Sequence, residues 1–264
     1  MNVSLPVLSP EIAFAAVVFA AVFVGYTVRK NVLTANGALA AAFVGLWVLF
    51  WAGVAWLVPL FFFFISSILL GKLNKSRLAA SDSKQGKPRD AWQVWCNGGV
   101  YAALATFASG AFSDAAHTLM ALSIAGSTAD TWSSETGQFF RQKTIDILRW
   151  KPVPVGLSGG ISWAGTVGGL LGAAAMAVIG NGLTGTISDP KSMLLVSVGG
   201  FAGMLLDSLL GAGLQARYRH ADSGALSDTG GADFVLVGGY SWMSNDAVNF
   251  WSNVLLVFSG YWIL

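Results

Sequence analysis

The chain has 264 residues, 55% of them hydrophobic and only 11% charged, with a formal net charge of +2 and a mean hydropathy of +0.63. A soluble domain carries about 25% charged residues, so this composition excludes one and reads as an integral membrane protein, folded as a single domain over residues 1–264. A lone cysteine, Cys96, excludes an intrachain disulfide and a cysteine-based metal site.

The apolar runs are continuous rather than alternating, which argues for helices and against a β-barrel. Crossing ~30 Å of hydrocarbon takes about 20 helical residues. The first run, 12–28, follows Glu11 and no basic residue, so it lacks the n-region of a signal peptide and reads as a retained span. A second span is expected over 37–51 and a third over 54–70, with Pro59 inside it. Residues 72–90 form a polar basic loop. Span four covers about 92–108, span five 115–135, span six 161–179, span seven 193–214 and span eight 246–264. The predicted fold is therefore all-α, a polytopic bundle of about eight transmembrane helices. Its 32 glycines suit the small-residue interfaces that let helices approach closely in a bilayer.

With eight spans, the connectors 29–36, 72–91, 137–160 and 215–244 share one side. They hold 14 of the 15 Lys and Arg residues, leaving only Lys191 opposite. The positive-inside rule then places both termini outside and the long connectors in the cytosol or its organellar equivalent, the stroma in a plastid. Asn97, Asp130, Glu135, Asp207, Asp246 and Asn249 all fall near span ends on that side. Acids and amides at membrane depth are costly and face the interior or a wet cavity. Several of them, from different helices on one side, point to a site there.

Asp130 and Ser134 are four residues apart, as are Thr131 and Glu135, so each pair shares a helix face. Oxygen ligands without His or Cys suit Mg²⁺, which keeps waters and takes one or two carboxylates plus substrate phosphates. Asp130, Asp207 and Asp246 are the expected metal ligands, with Glu135 as a ligand or supporting group; Asp130, Glu135 and Asp207 form the expected catalytic set. The turn holding Gly156, Ser158, Gly159 and Gly160 opens span six, where backbone N–H groups make an anion site. Lys84, Arg89 and Lys151 lie on the same side to neutralise phosphates, with Asn97, Ser134, Asn245 and Asn249 as further phosphate or nucleotide contacts.

Other motifs fail on context. Gly156-Leu157-Ser158-Gly159-Gly160 fits Gly-x-Ser-x-Gly, but the only histidines are His117, near the far side, and His220, in a basic loop. Gly211-Ala212-Gly213-Leu214-Gln215-Ala216 mimics a dinucleotide fingerprint while closing a membrane helix instead of following a strand. No Walker loop is present. The 11 Trp and 17 Phe read as lipid-facing or interfacial anchors, not as nucleic-acid stacking platforms.

Five stretches carry a family resemblance: Arg89-Asp90-Ala91-Trp92-Gln93-Val94-Trp95-Cys96-Asn97-Gly98-Gly99, Ala129-Asp130-Thr131-Trp132-Ser133-Ser134-Glu135-Thr136-Gly137, residues 154–166, Asp207-Ser208-Leu209-Leu210-Gly211-Ala212, and Asn245-Asp246-Ala247-Val248-Asn249. In this order the chain resembles the membrane family containing plant and cyanobacterial phytyl-phosphate kinases and animal transmembrane protein 19. That family is distantly similar to CTP-using lipid kinases and phosphatidate cytidylyltransferases. Trp92, Trp95 and Cys96 depart from its pattern. The resemblance implies phosphoryl transfer from a nucleoside triphosphate, CTP, to an isoprenyl monophosphate such as phytyl phosphate, giving the diphosphate used in tocopherol synthesis. A cytidylyltransferase acting on a lipid phosphate and a membrane transporter are the alternatives. A homo-oligomer is compatible with the sequence.

Overall fold

The computed structural model describes residues 8–77, 88–184 and 189–264. Eight helices follow one another: α1 (Pro10–Arg29), α2 (Ala35–Ala52), α3 (Leu57–Arg77), α4 (Ala91–Ala105), α5 (Ser113–Phe140), α6 (Trp163–Thr184), α7 (Pro190–Gly213) and α8 (Asn245–Tyr261). Each matches one predicted span, most to within a turn or so; α3 starts three residues and ends seven residues beyond the expected 54–70. The protein is a polytopic helix bundle, as the hydrophobic runs require. Among the described residues five helices, α1, α2, α3, α6 and α7, are long and apolar enough to cross a membrane by length and composition alone.

Of the other three, α4 and α8 are short, at 15 and 17 residues, while the 28-residue α5 falls short because its surroundings are protein. Helix α5 packs against α3, α4, α6, α7 and α8 and is buried without a break from Ala116 to Ala129. A helix enclosed on all sides need not be apolar to satisfy lipid, so His117, Ser123, Ser127 and Thr128 are tolerated within it. Helix α1 is the opposite case: Thr27 is its one buried residue, and its exposed Phe and Val side chains suit acyl chains.

Glycines set the spacing around α5. Gly165, Gly168, Gly169 and Gly172 line one face of α6, and a Cβ on Gly172 would meet the Thr128 carbonyl and Ala129 Cα of α5 at 3.2 to 3.3 Å. Without hydrophobic attraction between helices in lipid, such backbone contact supplies the packing energy. On the remaining side the core runs through Val44, Val48, Tyr101, Met120, Ile124, Met176 and Val196. The buried Tyr101 hydroxyl donates to the Trp56 carbonyl at 2.6 Å, and the Trp56 ring stacks on His117 at 4.8 Å.

Pro59 disturbs nothing. A short 3-10 turn over Val54–Trp56 makes α3 start at Leu57, so Pro59 lies in the first turn, where no intrahelical N–H bond is owed.

The connectors gather at one end. The strand-like Leu33 bridges to Arg89, and the Thr34 amide donates to the Arg89 carbonyl at 3.0 Å. Asp90 caps α4 in a reciprocal box with Gln93. Residues 141–162 form a sheet in the order β2-β1-β3, from β1 (Thr144–Asp146), β2 (Pro152–Val153) and β3 (Gly160–Ile161). Residues 214–244 form another, β5-β4-β6, from β4 (Arg217–His220), β5 (Leu226–Ser227) and β6 (Phe234–Gly238). The all-α expectation missed both sheets, whose strands of two to five residues are too short to leave a periodic signal. At the far end Lys191 Nζ donates to the Leu264 carbonyl at 3.3 Å.

Candidate functional site: a buried carboxylate pair

Near the connector end, four helices enclose a polar cavity of about 10 Å³, room for one water-sized sphere or a bare cation. Asp130 of α5 and Asp207 of α7 both line it, close enough for each carboxyl to act on the other. They arrive from helices 77 residues apart in sequence because Gly126 and Gly203, one turn earlier on each helix, let α5 and α7 approach. Both glycines line the cavity with the acids.

Helix α8 supplies the partners. Ser252 donates to Asp207 Oδ2 at 3.0 Å. Asn249, with its amide turned to satisfy its neighbours, donates to the same oxygen at 3.1 Å and to the Asn245 carbonyl at 3.1 Å. Beneath them Asn253 bridges two turns of α5: it donates to Ser127 Oγ at 2.9 Å and accepts from Ser123 Oγ at 2.8 Å. Helix α4 closes the ring with Asn97, whose carbonyl accepts from Ser127 Oγ at 3.1 Å. Among the described residues every lining polar group is a carboxyl, amide or hydroxyl, and no Lys, Arg or His lines the cavity. Two acids in contact in a low-dielectric site cannot both carry bare charge. They must share a proton or a cation, and hard oxygen donors of this kind fit Mg²⁺ held by two carboxylates.

The expected set is thus partly assembled. Asp130, Asp207, Asn97 and Asn249 meet. Asp246 does not complete a three-acid site: it lies in the first turn of α8, close enough to Cys96 to act on that thiol electrostatically. Among the described residues no three of His, Cys, Asp and Glu come together around one ion. Asn245, exposed in that same turn, contributes the carbonyl that Asn249 reaches.

Glu135 faces elsewhere. Five residues rotate a helix by about 140° from Asp130, which turns Glu135 toward α3. There Asn74, itself buried, donates to the Glu135 carboxylate and to its backbone carbonyl, the latter at 2.8 Å. Arg89 joins this cluster, donating to Ser67 Oγ at 2.8 Å and acting on the Glu135 carboxyl by charge. Ser134 is exposed and does not reach the pair. Lys84 lies outside the described residues, and Lys151 is exposed in a connector hairpin.

The glycine turn is a structural joint. Gly156 and Gly159 adopt φ of 85° and 76°, as a turn of this kind requires. The Ser158 amide, however, already donates to Asp228 Oδ2 at 2.8 Å. Ser158 Oγ donates to Gln215 at 2.7 Å, and Arg217 donates to the Ser158 carbonyl at 2.9 Å. The Ser158 amide is thus taken by a carboxylate of the protein itself, and Ser158 and Gly159, packed on Gly211 and Ala212, fasten the first sheet to the end of α7; Gly156 and Gly160 lie against Gln138 and Thr144 instead. A phosphate bound at the Ser158 amide would have to displace Asp228.

Sequence reasoning missed Ser127, Ser252 and Asn253. The signal was available: Ser127 lies three residues before Asp130, and Ser252 and Asn253 lie three and four after Asn249, the spacings that share a helix face.

The sequence profile of a family described as integral membrane protein DUF92 matches residues 18–257, which include every residue of this site. An uncharacterised membrane protein of Methanocaldococcus jannaschii is 31% identical over 181 residues, covering 69% of this chain and 74% of its own. One from Synechocystis is 30% identical over 145 residues, 52% of this chain and 55% of its own. Protein PGR of Arabidopsis thaliana is 26% identical over 219 residues, 74% of this chain and 76% of its own. No solved structure matches the chain.

Proposed function

The chain belongs to the DUF92 family of integral membrane proteins, and from that membership together with the buried carboxylate pair we propose that it is a membrane-embedded, Mg²⁺-dependent phosphotransferase. Its substrate class is an isoprenyl monophosphate, phytyl phosphate or a near relative, and its donor a nucleoside triphosphate, CTP. The carrying observation is the convergence of Asp130 and Asp207 on one polar cavity that, among the described residues, no cationic side chain lines. In this reading the whole chain is one catalytic domain, and the connector end faces the cytosol or stroma, where nucleotide is found.

Each residue then has a task. Asp130 and Asp207 hold the ion, while Ser252 and Asn249 fix the Asp207 carboxylate. Asn253, Ser127 and Asn97 keep α4, α5 and α8 in register around it. Mg²⁺ bound there supplies neutralisation of the charge that develops on transferring phosphate oxygens. The acceptor phosphate is already anionic, so positioning and charge do most of the work and no general base is required. The isoprenyl chain stays in the bilayer beside the helices and carries its headgroup to the connector end.

The test is incubation of the purified protein with phytyl or geranylgeranyl phosphate, Mg²⁺ and each nucleoside triphosphate, read by mass spectrometry. Lipid diphosphate plus nucleoside diphosphate supports the reading; a nucleotidyl-lipid plus pyrophosphate makes it a cytidylyltransferase. A second reading, cation transport, is favoured by the small cavity lined by acids, amides and hydroxyls. Sodium or proton flux in proteoliposomes that Asp130→Asn abolishes, with no nucleotide turnover, would establish it instead.

A further inference from the structure

The hairpin between β1 and β2 has the sequence Ile147-Leu148-Arg149-Trp150-Lys151 at its tip. It is tightly built. The Asp146 carboxylate accepts from the amides of Leu148 at 3.0 Å and Arg149 at 2.9 Å, and its carbonyl accepts from the Trp150 amide at 2.8 Å. Arg149 and Arg217 both bond to Asp146 Oδ2, at 3.0 and 3.2 Å. So fixed, the tip holds Trp150 at φ 52°, a conformation that bulky residues rarely adopt, and leaves that side chain 73% exposed. Leu148 beside it is also exposed. A rigid turn that spends backbone strain on showing two large apolar side chains needs an apolar surrounding to explain it.

Its height relative to the bundle is fixed. Arg149 Nη1 donates to the Ala212 carbonyl at 3.0 Å, and Leu148 Cδ1 lies against Gly213. Both contacts are in the last turn of α7, a helix long and apolar enough to span. The tip therefore sits at the level where α7 leaves the hydrocarbon, which is where Trp partitions. The charge around it has one sign. Arg141, Lys143 and Lys151 are exposed, and the only acid from residue 141 to 151 is Asp146, buried against two arginines.

We infer that the Ile147–Lys151 hairpin docks into the headgroup layer of the bilayer, its Leu148 and Trp150 entering the acyl boundary and its basic neighbours binding anionic lipid phosphates. Fastened to α7 six residues beyond Asp207, it would hold the mouth of the carboxylate site at headgroup depth. The inference rests on membrane residence alone and stands whether or not the protein transfers phosphate.

The experiment uses the full chain in nanodiscs of phosphatidylcholine, alone or mixed with phosphatidylglycerol. A Cys96→Ala, Leu148→Cys protein is labelled with an environment-sensitive fluorophore; Trp150→Cys is the alternative position if the first does not fold. The expected result is quenching by lipids carrying a shallow spin label, protection from aqueous iodide, and enrichment of phosphatidylglycerol around the probe. Lys143→Gln and Lys151→Gln should each lower that enrichment about fivefold. Iodide quenching without lipid quenching would overturn docking and leave the tip to a soluble partner or a second copy. Insertion with no preference for phosphatidylglycerol would overturn the anionic-lipid assignment.

Discussion

Two sites in this molecule bury aspartate, and they resolve the cost in opposite ways. In the connector layer Asp146 is 1% exposed and meets Arg149, Arg217 and two backbone amides. In the bundle Asp207 is 8% exposed and meets another acid, Asp130. The protein supplies the countercharge for the first, and among the described residues none lines the cavity of the second. An acid balanced by fixed arginines holds structure together. A pair of acids facing each other is a place prepared for a proton or metal to arrive from outside.

The largest expected effect tests the structural half of this contrast. Asp146→Ala leaves Arg217 buried without its partner and removes the hairpin's turn, at a cost of about 3 to 5 kcal/mol, read as a drop in Tm in detergent. A Tm within error of wild type would mean the arginines find water as readily as they find Asp146. Asp130→Asn and Asp207→Asn test the other half. Each should lower turnover by about a hundredfold or more, roughly 2.7 kcal/mol of barrier, while Tm holds or rises because the site no longer needs a shared proton or cation to offset a second acid. A fall in Tm comparable to that of Asp146→Ala would make the pair structural and erase the distinction.

Smaller effects sharpen it. Ser252→Ala removes the hydroxyl that orients Asp207 and should cost about tenfold in activity or Mg²⁺ affinity, measured by titrating Mg²⁺ against turnover. The smallest is a pH effect on stability. Burial alone would raise the Asp146 pKa, but the hydrogen bonds from Arg149, Arg217 and Leu148 outweigh it and hold the carboxyl below its ordinary value. A carboxylate with a lowered folded pKa stabilises the protein above the usual carboxylate range, and that stability is lost as pH falls through the folded value, below about 4. Tm scans at falling pH should show this loss in wild type and not in Asp146→Asn.

The helices were legible because lipid demands long unbroken apolar runs, and these leave a strong trace. Asp130, Asp207, Asn97 and Asn249 were legible too, since polar side chains at membrane depth stand out against such runs. What failed was local geometry. Glu135 looked like a partner of Asp130 until the rotation between them was set against the position of α3. The turn at Gly156 to Gly160 had the backbone for binding anions, but its occupant, Asp228, comes from 70 residues downstream, and no local pattern foretells that. Ser127, Ser252 and Asn253 went unnoticed because Ser and Asn are common in any chain, and only their helical spacing from a known acid distinguishes them.

The enclosure of α5 also bears on how the protein is made. A helix with Asp130, His117 and several hydroxyls along its length enters hydrocarbon alone at a cost, though Asp130, near the span's end, costs less than the ~2.5 to 3.5 kcal/mol of a central aspartate on insertion scales. Its glycine-faced neighbours α6 and α7 are synthesised after it. During biogenesis α5 should therefore linger at the translocon until those two segments emerge, and a reporter fused after α5 should integrate poorly where one fused after α7 integrates fully.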